Sequence, residues 1–213
     1  MTSETRLERP SSVAAAPSAE RQIWLARHGQ TAWSLSGQHT GHTDIPLDPT
    51  GLRQAAAIAK RLAGHRFALI LSSPRSRAAE TARLAGLGDR LVIDDDLGEW
   101  DYGTLEGRTT EEIRREYPGW SIWTGPWPAG ETPDQVGARA DRVIARCLDP
   151  SVDGDALLFG HGHLLRVLAA RWLGLPATGG AMFALGTATI SILGWDRGRP
   201  VIEVWNEAAH LQD

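Results

Sequence analysis

Cysteine is almost absent from this chain: Cys147 is the only one in 213 residues. A lone thiol makes no intramolecular disulfide. That excludes a disulfide-stapled secreted scaffold and fits a reducing cytoplasm, the location expected for this chain. Long hydrophobic runs are missing too. No stretch of roughly 18 apolar residues occurs, so no apolar membrane span is expected. Nor is there an excess of positive charge. Lys and Arg number 22 against 26 Asp and Glu, a net charge of −4. Such a balance gives no whole-chain attraction to nucleic acid or to anionic lipid, so neither is an expected partner. Any anion chemistry must come from a local cluster of cations. The Gly-x-x-x-x-Gly-Lys pattern of P-loop kinases and ATPases does not occur. Internal repeats are absent, and low complexity is confined to residues 1–20. That stretch is rich in Ala, Ser and Pro, lacks an apolar core of signal-peptide length, and reads as a disordered tail.

The remaining composition, 42% apolar and 23% charged, is that of a globular domain. One domain is expected over 21–206, followed by a short tail at 207–213. Apolar runs at 23–26, 67–71, 156–159 and 189–193 read as strands. Continuous runs of this kind suit strands covered on both faces, as in a parallel sheet. A last strand at 201–205 pairs with its predecessor across Asp196-Arg197-Gly198. Between the strands lie helical signals. Leu52, Ala55, Ala56, Ala59, Leu62 and Ala63 recur at helical spacing, with Thr50 as the expected N-cap. A helix over 75–85 follows Pro74. Thr109 with Glu112 forms a capping box, and Thr132, Pro133 and Gln135 open a helix running to about Cys147. Residues 164–173 are apolar nearly all round and read as a buried helix. Alternation of strands and helices predicts an α/β three-layer sandwich around a mostly parallel sheet.

Sites in such sheets form beyond the carboxyl ends of the strands. Here the strands run into Arg27-His28-Gly29, into Ser72-Ser73-Pro74-Arg75-Ser76-Arg77, and into Gly160-His161-Gly162-His163. All three deliver His or Arg, and none carries a carboxylate, so a cationic pocket is expected in an acidic protein. Phosphoryl transfer needs in-line positioning and stabilisation of charge on the equatorial oxygens. Arginine supplies always-charged, two-pronged donors. A neutral imidazole is a competent nucleophile near neutral pH. A leaving alkoxide also needs a proton, for which Glu99 in Gly98-Glu99-Trp100-Asp101-Tyr102-Gly103 is the leading candidate.

With these motifs the chain resembles the histidine phosphatase superfamily, the phosphoglycerate mutase-like proteins, from about Ile23 to Trp205. Arg27-His28-Gly29-Gln30-Thr31 is similar to the family's nucleophile motif. The stretch from Ser36 through Thr40-Gly41 to Leu47 is similar to its substrate-side continuation, and Ser73-Pro74-Arg75-Ser76-Arg77 to its second motif. The resemblance implies a phosphoglycerate mutase-like fold and a phosphohistidine at His28. Arg27, Arg77 and His161 would hold the phosphoryl group, and Glu99 would act as acid and then as base. In that pattern the pocket arginine lies three residues after the proline, which selects Arg77 over Arg75. Ser34, Thr40, Gly41, Trp100, Tyr102 and Gly162 are the expected substrate contacts. No metal and no cofactor are implied. The expected partner is a small phosphorylated metabolite, and a homodimer is left open.

Within the family, the closer likeness is to acid-phosphatase and sugar-phosphatase members. A mutase would carry a long lid after Tyr102-Gly103, an Arg at Trp100, a Lys at Thr110 and an Asn at Ser34, and this sequence departs at each point. A non-catalytic phospho-ligand module would typically lack the nucleophile or the acid, and both are present. A zinc site built from His39, His42, His161 and His163 is disfavoured by the arginines beside them. The loop over 118–131, with three Trp and three Pro, reads as a cap on the pocket. Together with Trp100, its Trp120, Trp123 and Trp127 would line an apolar mouth.

Overall fold

The computed structural model describes residues 20–212. The expected N-terminal tail therefore lies almost wholly outside the described residues. The strands are β1 (Ile23–Arg27), β2 (Phe67–Ser72), β3 (Val92–Ile93), β4 (Asp155–Gly160), β5 (Ile190–Asp196) and β6 (Arg199–Glu207). The helices are α1 (Ala32–Ser36), α2 (Pro49–Leu62), α3 (Ser76–Leu84), α4 (Thr110–Glu116), α5 (Pro133–Cys147) and α6 (Gly162–Trp172). One six-stranded sheet has the order β3-β2-β4-β1-β5-β6. β3, β2, β4 and β1 run parallel, and β5 and β6 are antiparallel additions at one side. The sheet is flanked by helices on both faces, so the expected mostly parallel α/β sandwich is the observed fold.

Strand side chains alternate between the two faces. In β4, Ala156 and Leu158 join the core under α5 and α6, whereas Leu157 and Phe159 join the core under α2 and α3. β1 divides in the same way, Ile23 and Leu25 to one side and Trp24 and Ala26 to the other. Both faces are dry, which is why these strands read as unbroken apolar runs. Full burial of each large side chain contributes roughly 2–3 kcal/mol.

Local signals account for most boundaries. Thr109 and Thr132 cap α4 and α5 through the expected capping boxes. The β5–β6 hairpin turns at Arg197 and Gly198, both at positive φ, as a two-residue turn of matching twist requires. The α2 cap differs from expectation. Asp48 accepts from Gly51 N–H at 2.7 Å and Pro49 occupies the first turn, so the helix starts before Thr50. The expected C-terminal tail also differs. β6 runs to Glu207 and residues Ala209–Leu211 form a 3-10 turn, with His210 Nε2 2.9 Å from Ala188 O and Leu211 packed on the core.

Candidate active site

β1, β2 and β4 end level with one another. Arg27 pairs with Gly160 and Ser72 with Phe159, and the ladder continues past the strands. His28 N–H donates to Gly160 O and Ser73 N–H to Phe159 O, both at 3.0 Å. The residues just beyond, His28, Ser73 and His161, therefore share one edge of the sheet. The backbone at Gly29 passes so close to α2 that a Cβ there would lie 2.4 Å from Gly51 O. Only glycine permits that approach, and it brings the start of α2 directly beneath the His28 loop.

His28 is buried, and its Nδ1 lies 2.7 Å from Gly29 O. A carbonyl only accepts, so Nδ1 carries the proton and Nε2 carries the lone pair. Burial, then the charges of Arg27 and Arg77, push the His28 pKa well below 6.5, with the Gly29 carbonyl acting in the opposite sense. The ring is neutral at neutral pH with one nitrogen free to attack. Its centroid is 5.1 Å from that of His161.

His161 is completely buried at the head of α6. Arg77 Nε donates to its Nδ1 at 3.2 Å, which places the proton on Nε2, 2.7 Å from Ser73 Oγ. Burial first, then Arg77, His28 and Arg27, hold its pKa well below 6.5. The Arg77 guanidinium also donates to the carbonyls of Thr40 at 3.0 Å, Thr43 at 3.1 Å and Gly41 at 3.3 Å. It braces the 40–43 loop from below rather than lining the cavity. Arg27 is placed differently. One of its terminal nitrogens bonds Leu185 O, but its buried Nε has no protein partner. That Nε is sealed off, yet Arg27 as a whole lines the cavity beside His28.

Glu99 is held at the N-terminus of α6. Oε1 accepts from Trp100 N–H and Leu164 N–H, each at 2.9 Å, and Oε2 accepts from His163 N–H at 3.0 Å. A carboxylate oxygen offers two acceptor positions, so Oε2 retains one that can carry a proton. Glu99 lines the cavity together with His28 and Arg27.

That cavity has a volume of about 180 Å³. Of the expected substrate contacts, Ser34, Thr40, Tyr102 and Gly162 line it. Ser34 is also the third residue of the α1 capping box with Thr31, and Gly162 packs against the Arg27 guanidinium. Gly41 lies behind the wall, where a Cβ would meet Trp100 O at 2.7 Å. Trp100 is fully buried, its indole N–H bound to Glu131 O at 2.8 Å, and it does not reach the cavity.

The expected tryptophan mouth is not formed. Trp120 is buried with its N–H on Pro126 O, Trp127 donates to Ile122 O, and Trp123 lies under the Arg166 guanidinium at 4.6 Å. Trp120 and Trp127 bond carbonyls of their own loop and Trp123 packs on Arg166 of α6, so the loop is a hydrophobic cover rather than a set of ligand faces. The aromatic side chains on the cavity are instead Trp33, His39, Tyr102 and His163, with Gln38 and Arg166 beside them. Trp33, Gln38, His39, His163 and Arg166 were not singled out as substrate contacts from the sequence. Arg75 faces a neighbouring cleft.

The histidines do not assemble a metal site. Among the described residues no group of three His, Cys, Asp or Glu is arranged to hold an ion. His161 has both nitrogens engaged, and His42 is exposed, 3.9 Å from Asp101. No helix among the described residues is long and apolar enough to cross a membrane.

Several known proteins are similar to this chain over most of its length. An acid phosphatase of Mycobacterium tuberculosis is 42% identical over 194 residues, covering 90% of this chain and 95% of that one. A sedoheptulose 1,7-bisphosphatase of Saccharomyces cerevisiae is 40% identical over 190 residues, covering 75% and 70%. A probable phosphoglycerate mutase of Cronobacter sakazakii is 31% identical over 203 residues, covering 89% and 94%. The solved structure of a Mycobacterium tuberculosis open-reading-frame product superposes with a TM-score of 0.83 at 40% identity, covering 88% of this chain and 98% of that one. The profile of the histidine phosphatase superfamily (branch 1) matches residues 23–208, almost the whole of the described chain, and the protein belongs to that family.

Proposed function

We propose that this protein is a metal-independent phosphomonoesterase acting on a small phosphosugar or related phosphometabolite through a phosphohistidine at His28. The observation that carries the reading is the His28 ring. Its Nδ1–H is committed to Gly29 O, leaving Nε2 as the only nucleophilic nitrogen. Arg27 and His161 flank it, with Arg77 behind them. Arg27, which lines the cavity, and the field of the buried Arg77 supply the positive charge for the phosphoryl oxygens, the task a metal performs in other phosphoryl-transfer enzymes, while the neutral His161 fixes the Ser73 side of the site.

In the first step His28 Nε2 attacks phosphorus. The P–N bond forms as the P–O bond to the leaving group breaks, and Glu99 delivers its proton to the departing alkoxide. In the second step water attacks the phosphohistidine, Glu99 takes a proton from it, the P–N bond breaks and inorganic phosphate leaves. Each residue returns to its starting state, and the net change is hydrolysis of one phosphoester.

The cavity supports a compact substrate. About 180 Å³ with Gln38, His163 and Arg166 along it offers polar donors beyond the phosphate. The phosphatase names of the acid phosphatase and bisphosphatase relatives point the same way. The probable mutase relative raises the alternative of phosphoryl transfer between positions of phosphoglycerate. A mutase must shield its phosphoenzyme from water while the intermediate reorients. The segment between Tyr102 and Gly130 here contributes Leu105, Ile113, Trp120 and Ile122 to the core, which leaves no free lid. The deciding experiment measures phosphate release from a panel of sugar phosphates beside isomerisation of 3-phosphoglycerate. Phosphate release is expected to dominate. Efficient isomerisation with negligible release would overturn the reading.

A further inference from the structure

His163 has no part in the chemistry proposed above, yet it lines the cavity and is held in one protonation form. It follows His161 by two residues and lies in the first turn of α6. Its Nδ1 is 2.7 Å from Tyr102 Oη. Tyr102 is buried and its phenol pKa is raised well above 10, chiefly by burial and next by Glu99, so the hydroxyl keeps its proton. We assign the phenol as donor and His163 Nδ1 as acceptor, the arrangement that satisfies the buried hydroxyl's proton within the protein. Burial, then His39 and Arg166, keep the imidazole neutral. A neutral ring that accepts at Nδ1 carries its hydrogen on Nε2. Nε2 has no protein partner among the described residues and is not among the sealed-off polar atoms. It is thus open to the cavity that the half-buried ring lines. Packing keeps the ring from turning. Trp123 stands edge-on at 5.4 Å, Tyr102 at 5.9 Å and Trp100 at 6.4 Å, with His39 tilted at 5.9 Å.

We infer that His163, oriented by Tyr102, is a specificity-determining donor whose Nε2–H reads a hydroxyl or carbonyl oxygen on the organic part of the phosphoester. It stands on the helix that carries His161 and beside Glu99, which accepts its backbone N–H, so it sits where the leaving group must lie. A polyhydroxylated leaving group presents oxygens close to the ester, whereas p-nitrophenyl phosphate has only ring carbon there and carries its nitro oxygens at the far end of the ring. The inference rests on the phosphosugar reading above and assigns one residue of that site to substrate choice.

The test compares kcat/KM for D-ribose 5-phosphate with kcat/KM for p-nitrophenyl phosphate, in the wild type and in His163→Phe, His163→Gln and Tyr102→Phe. Losing one neutral hydrogen bond should lower the ratio of the two constants roughly three- to tenfold in His163→Phe. His163→Gln retains an N–H donor and should recover part of that loss. Tyr102→Phe keeps the ring packing and removes only the orienting hydroxyl, so it tests the same idea if His163→Phe folds poorly. It should lower the ratio in the same direction, mainly through KM for the sugar phosphate. A wild type active on both substrates, with the ratio unmoved in His163→Phe and Tyr102→Phe, overturns this inference alone. A wild type that hydrolyses p-nitrophenyl phosphate but no sugar phosphate overturns the substrate reading and this inference with it.

Discussion

Arg77 sets the tautomer of His161. The Arg77 Nε–H points at His161 Nδ1 from 3.2 Å, and this contact forces the histidine proton onto Nε2. The neighbouring His28 has the opposite tautomer, because its Nδ1–H is spent on Gly29 O. Two imidazoles 5.1 Å apart therefore present unlike faces, a bare nitrogen on His28 and an N–H on His161. The first prediction follows. In protein labelled with 15N at histidine, long-range 1H–15N spectra at pH 6 should show both rings neutral, with the Nδ1–H form at His28 and the Nε2–H form at His161. Their depressed pKa values keep them so well below the usual 6.5. An imidazolium signal from either residue at pH 6 contradicts the electrostatic argument.

Covalent catalysis at His28 predicts a trapped intermediate. Denaturing quench during turnover of a 32P-labelled substrate should leave acid-labile, base-stable label on the wild type and none on His28→Ala. The variant should lose at least about 10³-fold in rate, roughly 4 kcal/mol of barrier. A His28→Ala protein with wild-type turnover ends the proposal.

Glu99 is proposed to serve the leaving group, so its importance should depend on the alcohol expelled. Glu99→Gln should lose roughly 10²-fold or more on a sugar phosphate, whose alkoxide needs a proton. The loss on p-nitrophenyl phosphate should be much smaller in the first step, since nitrophenolate leaves unaided. Single-turnover rates on both substrates check this, and equal losses would remove Glu99 from the role of acid.

Metal independence is directly measurable. Turnover should survive exhaustive treatment with EDTA and should not rise when Mg²⁺ or Zn²⁺ is added back. Activity lost to the chelator and restored by either ion would move this protein to metal-assisted hydrolysis.

His39 predicts a pH dependence of stability. Burial lowers its pKa to about 4, below the value near 6.5 expected when unfolded. Between those values the unfolded chain binds more protons, so stability is complete above about pH 6.5 and is lost as pH falls toward 4. The gap corresponds to about 3 kcal/mol. Urea midpoints measured from pH 7 to 4.5 should fall less steeply in His39→Phe than in the wild type. Parallel slopes would show that His39 does not carry the effect.

The fold and the centre of the site were legible for physical reasons. Strands dry on both faces must be continuously apolar, and Ala156 to Phe159 shows this directly. Capping boxes need fixed residue types at fixed spacing, so Thr109 and Thr132 declared their helices. The carboxyl-end rule then brought His28, Ser73 and His161 together without any coordinate. The rest depended on three-dimensional partners. Asp48 and Thr50 are both good caps, and only the chain path chooses between them. α1 has five residues and β3 has two, too few for a period to emerge. In the sequence Trp100 and Trp120 look like ligand faces, but an indole that finds a backbone carbonyl for its N–H belongs in the core, and sequence does not reveal that carbonyl. His163 and Arg166 did leave a signal. They are polar residues three apart in a helix otherwise apolar almost all round, which places both on one face.

Helix α6 mounts two kinds of decision on one rigid rod. His161 stands at its N-cap, Glu99 caps its free N–H groups, and His163 and Arg166 face the cavity within the next turn and a half. In the proposed mechanism the bond-making apparatus is thus anchored by backbone, while the residues proposed to meet the organic part of the substrate are side chains borne on a scaffold that need not move. Such a division would let single codon changes at 163 or 166 trade one metabolite for another while the reaction itself is inherited intact. The same arrangement makes these two positions the natural first library for anyone seeking to redirect the enzyme toward a new phosphoester.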